Sequence, residues 1–123
     1  MEVLALLAVI LTSNMWDSGQ IRALEASPLS VTTSWYGKEL QGSRMANGEC
    51  FRSEDPGTAA HKELPLGTRL QLQNPGNGHS LVVEIKDRGP FIKGRDLDVS
   101  QAAAEKLGFK DEGVVTLLAK VIK

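Results

Sequence analysis

The chain has 123 residues, of which 41% are hydrophobic and 24% charged, and its formal net charge is -1. This composition is that of an ordinary globular domain and argues against a disordered chain, and the lack of a basic stripe argues against nucleic-acid binding. Cys50 is the single cysteine, so an internal disulfide is excluded and a cysteine-based metal site is not expected. We expect Cys50 to be a small, partly buried hydrophobe.

The N-terminus begins with an uninterrupted apolar run, VLALLAVIL, from Val3 to Leu11. It is short for a bilayer span but fits the hydrophobic region of a signal peptide, with a buried helix as the alternative. We therefore predict a leader and linker over residues 1–30 and a folded domain over 31–123. An exported protein would be periplasmic, cell-wall-associated or secreted, with weak membrane association through this run.

The folded domain has a β pattern. A first strand is predicted at Val31–Tyr36, which is rich in β-branched and aromatic residues. Alternation of apolar and polar residues predicts a second at Thr68–Gln73. Two more apolar segments, Leu81–Ile85 and Val114–Ile122, are also predicted strands. The sequence NPGNGHS, Asn74–Ser80, is typical of a hairpin loop.

One short helix is predicted near the C-terminus. Ser100 stands at the N-cap position, strong helix formers follow over Gln101–Leu107, and Gly108 is the expected C-terminal cap. Its alanines should pack closely on a sheet. Several short strands, glycine-rich turns and one small helix indicate a compact β-barrel, although the pattern alone does not say which barrel.

Three polar residues are the candidates for chemistry. Asp87 lies at the end of a predicted strand and before a Gly-Pro turn, where a carboxylate either lines a site or caps the turn. Glu49 follows a glycine in a loop and is either a site residue or a solvated acid. His61 is either a site residue or a structural histidine bonded to the backbone. Two acids and a histidine suit glycosidic bond cleavage, which needs a carboxylic acid as proton donor, but their spacing does not show that they converge.

Longer stretches resemble the rare lipoprotein A (RlpA-like) family from about Ser34 to the C-terminus. These are SWYGKELQGSRMANGECF, TAAHKELPLGTRLQLQNPGNGHSLVVEIKDRGPF and KGRDLDVSQAAAEKLGF. The resemblance implies a mainly β fold, a six-stranded double-psi β-barrel with one or two short helices, similar to the barrel of expansins. Glu49, His61 and Asp87 match the family's functional acid, histidine and aspartate.

The same resemblance implies a lytic transglycosylase. Such enzymes cleave peptidoglycan between N-acetylmuramic acid (MurNAc) and N-acetylglucosamine (GlcNAc) and leave a 1,6-anhydro-MurNAc end. Asp87 would act as the acid/base, while Glu49 and His61 would orient it or grip the glycan strand. The reaction needs no metal and no diffusible cofactor, and we expect a monomer whose partner is peptidoglycan.

Three further residues are expected to bind substrate. Trp35 and Tyr36 would stack on sugar rings, with a place in the barrel core as the alternative. Arg88 is the third, and alternation along the strand should point it away from Asp87. Asp98 also matches a family position and is expected to be structural.

Met45 stands where the family usually has threonine. This departure motivates an alternative function, a non-catalytic, expansin-like module that binds or loosens cell-wall glycan. A third alternative is a secreted barrel that binds a protein partner, which an exposed apolar patch would favour.

Overall fold

The computed structural model describes Gly19 and residues 27–122. The predicted signal-like run Val3–Leu11 lies outside the described residues. No helix of the described part is long and apolar enough to cross a membrane.

Six strands form a closed barrel in the order β1-β5-β2-β4-β3-β6. The pairs β1/β5 and β2/β4 are parallel, and the other neighbours are antiparallel. The predicted mainly β barrel is therefore confirmed. The strands are β1 Leu29–Tyr36, β2 Thr58–His61, β3 Arg69–Gln73, β4 Ser80–Asp87, β5 Leu97–Ser100 and β6 Val114–Ile122, and the helices are a 3₁₀ turn Lys38–Leu40 and α1 Gln101–Leu107.

Alternate residues of the strands fill the barrel interior, as the two-residue period of a strand requires. In β3, for example, Leu70 and Leu72 are buried, whereas Arg69, Gln71 and Gln73 are exposed. The predicted loop after Gln73 connects β3 to β4, with Gln73 paired to Ser80. The main core thus lies inside the ring, and the outer face of the sheet is available for other contacts.

Helix α1 begins and ends where the sequence predicted. The Ser100 hydroxyl accepts the Ala103 N–H at 3.2 Å, and Gly108 adopts a left-handed conformation with φ of 75°. Ala103 and Ala104 are fully buried in the barrel core. The small side chains therefore allow the close packing expected of them.

A second, smaller hydrophobic cluster lies on the outer face of the barrel. It consists of Tyr36, Met45, Phe51 and Ala60. A tight hairpin over residues 43–51 supplies two of these side chains and is closed by the Phe51 N–H donating to the Ser43 carbonyl at 2.7 Å. This outer cluster packs the hairpin against the strands that carry the polar residues described next.

Candidate functional site

Asp87 is directed to the outer face by a β-bulge. Ala59 of β2 pairs with Ile85, but the next residue, Ala60, pairs with Asp87, so Lys86 is an extra residue in β4. Ala59 belongs to the inner core and Ala60 to the outer cluster. Without the bulge, Asp87 would share the inward orientation of Ile85; with it, the carboxyl lies beside Ala60.

Two backbone N–H groups fix the orientation of the Asp87 carboxyl. Ala46, in the 43–51 hairpin, and Arg88 each donate to Asp87 Oδ1 at 2.9 Å. The hairpin is also tied to β4 by the Asn47 N–H, which donates to the Lys86 carbonyl at 3.0 Å. Because both donors bind Oδ1, Oδ2 is the oxygen left to exchange a proton with a ligand.

Glu49 lies near the same strand end and contacts the bulge residue. Lys86 Nζ donates to Glu49 Oε1 at 3.3 Å and lies 3.7 Å from Asp55 Oδ2. Partial burial acts to lower the pKa of Lys86, but the Glu49 bond and nearby carboxylates outweigh it and raise the pKa. Glu49 itself is 60% exposed. Lys86, the residue before Asp87, thus ties Glu49 to the same strand end.

His61, unlike Glu49, is buried. It follows Ala60 in β2, and its side chain is only 1% exposed. Its Nδ1 accepts the N–H groups of Glu63 and Leu64, both at 3.0 Å. Burial, then the charges of Arg88 and Lys62, lowers its pKa from 6.5 to about 4. The ring is therefore neutral at neutral pH and orders the turn that follows β2.

Arg88 connects that turn to the site. Its Nη1 donates to the carbonyls of His61 and Leu64 at 3.1 and 2.7 Å. Its guanidinium is thus directed to the turn after β2, while its own N–H binds the Asp87 carboxyl. Arg88 therefore links the turn that His61 orders to the Asp87 carboxyl.

The two aromatic residues of β1 occupy different environments. Trp35 packs against the inner core, and its indole N–H donates to the Lys110 carbonyl at 3.0 Å. Tyr36 is 7% exposed and its ring stacks on Phe51 with a centroid distance of 4.4 Å. These contacts correspond to the core alternative for both residues, and stacking of either on sugar stays a prediction.

Phe91 is a candidate that sequence reasoning did not single out, although it lies in the DRGPF motif. It is 80% exposed, the highest value among the large hydrophobic residues of the described part. It follows Asp87 by four residues, and its ring lies next to Gly89 of the same turn. An aromatic residue directly after a Gly-Pro turn was the available signal.

Cys50 is exposed, so the expectation that it would be partly buried is wrong. Its backbone forms an isolated antiparallel β-bridge with Arg44 across the 43–51 hairpin. The next residue, Phe51, is buried instead. Within residues 27–122, no three His, Cys, Asp or Glu side chains are grouped closely enough to hold a metal ion.

The closed ring with two parallel strand pairs defines this domain as a double-psi β-barrel. It is similar to the Streptomyces papain inhibitor, with a TM-score of 0.62 and 21% identity over 80% of this chain and 97% of that one. It also resembles the apo form of the Clavibacter michiganensis expansin, with a TM-score of 0.60 and 20% identity over 78% of this chain and 50% of the other. At these identities the likeness establishes the fold alone.

The chain belongs to the family described as lytic transglycolase (DPBB_1), whose model matches residues 29–118. It is 46% identical over 82 residues to the endolytic peptidoglycan transglycosylase RlpA of Pseudomonas aeruginosa strain UCBPP-PA14, covering 67% of this chain and 24% of the relative. It is 44% identical over 93 residues to the protein of the same name from Vibrio cholerae serotype O1, covering 76% of this chain and 35% of the relative. The chain therefore spans about a third or less of the length of these relatives.

Proposed function

We propose that this domain binds peptidoglycan glycan strands and cleaves the MurNAc–GlcNAc bond by lytic transglycosylation, with Asp87 as acid/base. Family membership supports the substrate and the reaction class. The observation that carries the proposal is the Asp87 carboxyl, which the bulge turns to the outer face and two N–H groups hold through Oδ1.

One carboxyl suffices for the chemistry. Asp87 Oδ2 gives its proton to the glycosidic oxygen as the bond from that oxygen to MurNAc C1 breaks. Asp87 Oδ2, now ionised, then takes the proton of the sugar's 6-hydroxyl as O6 bonds to C1. The cycle consumes no water, restores the protonated acid and leaves the 1,6-anhydro ring.

The other predicted residues support Asp87 in this scheme. Glu49 and the bulge residue Lys86 border the strand end that carries the acid. His61 maintains the turn that receives Arg88. The exposed ring of Phe91 offers a stacking surface to the apolar face of a sugar. Because peptidoglycan lies outside the cytoplasmic membrane, the proposed activity is periplasmic, cell-wall-associated or secreted.

The test compares the wild-type protein with Asp87→Asn on purified sacculi. The amide Oδ1 can keep both N–H bonds, so the variant removes the transferable proton and preserves the geometry. Mass spectrometry of the soluble fragments should show anhydro-muropeptides for the wild type and a decrease of about 10²- to 10⁴-fold for Asp87→Asn. Asp111→Asn, at an exposed position after the helix, is the matched control and should retain full activity. Unaltered activity in Asp87→Asn would refute the assignment.

The second candidate is a wall-binding module without catalysis. It is favoured by the burial of His61, which leaves two of the three predicted catalytic residues accessible. In that case the protein would co-sediment with insoluble sacculi but release no new anhydro ends. Absence of co-sedimentation would exclude this alternative as well.

A further inference from the structure

A second carboxyl lies in the same row of the outer face as Asp87. Asp98 in β5 pairs with Ala60, and Ala60 pairs on its other side with Asp87. Since neighbouring strands lie about 4.8 Å apart, the two aspartates are separated by about 10 Å at the backbone. The row continues to Ser34 in β1, whose hydroxyl donates to Asp98 Oδ1 at 2.7 Å.

Tyr36 brings a buried hydroxyl to this row. It follows Ser34 by two residues, so the two side chains leave the same face of β1. Its hydroxyl is buried and has no hydrogen-bond partner within residues 27–122. Burial raises the pKa of Tyr36, and the charges of Asp87 and Asp98 raise it further. The hydroxyl therefore keeps its proton and lies within electrostatic range of both carboxyls.

An unpartnered buried hydroxyl is unfavourable for the fold. Leaving such a group without a partner costs free energy, and phenylalanine would preserve the stacking on Phe51 without that cost.

The two aspartates also differ in what they already bind. Oδ1 of Asp98 is bound by Ser34, and burial raises the pKa of Asp98, an effect that Ser34 and Arg95 reduce and Glu39 reinforces.

We propose that Tyr36 is a positioning residue whose hydroxyl donates to Asp87 Oδ2 whenever that carboxyl is ionised. The carboxyl is held through Oδ1, but the phenolic O–H can turn about its C–O bond, so it can donate to Oδ2 after the proton has left and release it when the proton returns. This inference rests on the proposed function for its catalytic meaning. The ring of Tyr36 supports the outer cluster, and its hydroxyl stabilises the charge that develops on Asp87 during the reaction.

Charged groups near Asp87 also influence its titration. They lie in β4, directly after it, in β5 and in the 43–51 hairpin, and all of them remain in Tyr36→Phe. They are Lys86, Arg88, Asp98 and Glu49. Any change on removal of the Tyr36 hydroxyl alone is therefore due to that hydroxyl.

Tyr36→Phe separates the two roles of the residue. In the full chain we expect an unfolding midpoint in urea that is unchanged or higher, because an unpartnered polar group is lost. The kcat for anhydro-muropeptide release should fall by about tenfold to a hundredfold with little change in KM, as expected for a hydrogen bond to a charged group. Because the donor favours the carboxylate, its loss should move the alkaline limb of the pH–rate profile to higher pH.

A direct titration keeps this inference independent of activity. The side-chain carboxyl carbon of Asp87 is followed by ¹³C NMR in the wild type, in Tyr36→Phe and in Asp98→Asn. We expect the Asp87 titration to move to higher pH in Tyr36→Phe. If Tyr36→Phe moved the Asp87 titration in the wild type but not in the Asp98→Asn background, the hydroxyl would act through Asp98, and the proposal would be overturned. An unmoved Asp87 titration in Tyr36→Phe would also overturn it, whereas a wild type without activity would refute only the proposed function.

Discussion

Acidification should destabilise this domain through His61. The Nδ1 atom of the neutral ring accepts two backbone N–H groups, from Glu63 and Leu64. A second ring proton would have to be placed on that atom, which would break both bonds and bury a charge near Arg88. These effects explain why the pKa of His61 falls from 6.5 to about 4.

The magnitude follows from the linkage between proton binding and folding. Above pH 6.5 the ring is neutral in both the folded and the unfolded chain. As the pH falls toward 4, the unfolded histidine takes up a proton and the folded one does not, so the free energy of unfolding decreases. The shift from 6.5 to about 4 corresponds to about 3 kcal/mol, a large share of the stability of a small domain.

The assay is urea unfolding of the wild type and His61→Asn at several pH values between 7 and 3.5. The Asn side-chain oxygen can accept the same N–H groups as Nδ1 but does not titrate, so the variant should be less stable at pH 7 and less dependent on pH. The wild-type advantage should shrink by about 3 kcal/mol between pH 7 and 4. If the free energies of unfolding of the two proteins changed in parallel over this pH range, the Nδ1 bonds would not be what holds the ring neutral.

Three other substitutions test the site surface and the helix. Phe91→Ala should weaken co-sedimentation with sacculi by about twofold to tenfold without changing the urea midpoint, and undiminished pelleting would exclude the ring from the binding surface. Gly108→Ala should lower the free energy of unfolding by about 1–2 kcal/mol, because φ is 75° there and a Cβ would lie 2.5 Å from Asn77 Nδ2; an unchanged midpoint would contradict the left-handed cap. Ser100→Ala should cost about 1 kcal/mol through loss of the bond from the Ala103 N–H, measured in the same way, and a neutral result would mean that the cap contributes nothing.

Strands with one solvent-facing side were predictable from sequence, and strands covered on both sides were not. Alternation identified β3 to within one residue. In β2, all four residues Thr58–His61 are buried, because the outer cluster covers the face that would otherwise meet water. The two-residue period is therefore absent there, and the segment was recognised as a motif rather than as a strand. The short strand β5, Leu97–Ser100, was missed for a similar reason, since three of its four residues are buried.

The candidate site was predictable in its residues but not in its arrangement. The motifs identified Asp87, Glu49 and His61, yet simple alternation places Asp87 on the same face as Ile85. Its outward orientation depends on the extra residue Lys86, a register shift that sequence pattern does not reveal. The burial of His61 is also a property of the closed ring. Strand β2 is covered only when it pairs with β4 and β5, which lie further along the chain.

Ala46 donates to the Asp87 carboxyl through its main-chain N–H, and this determines which substitutions the hairpin can accept at that position. The side chain of Ala46 is exposed, so many residue types could replace it without disturbing the carboxyl. Proline is the exception, because it has no N–H to donate. Sequence variation in this loop would therefore be a poor guide to its importance, and a single Ala46→Pro exchange would reveal a constraint that a scan with alanine or charged residues would miss.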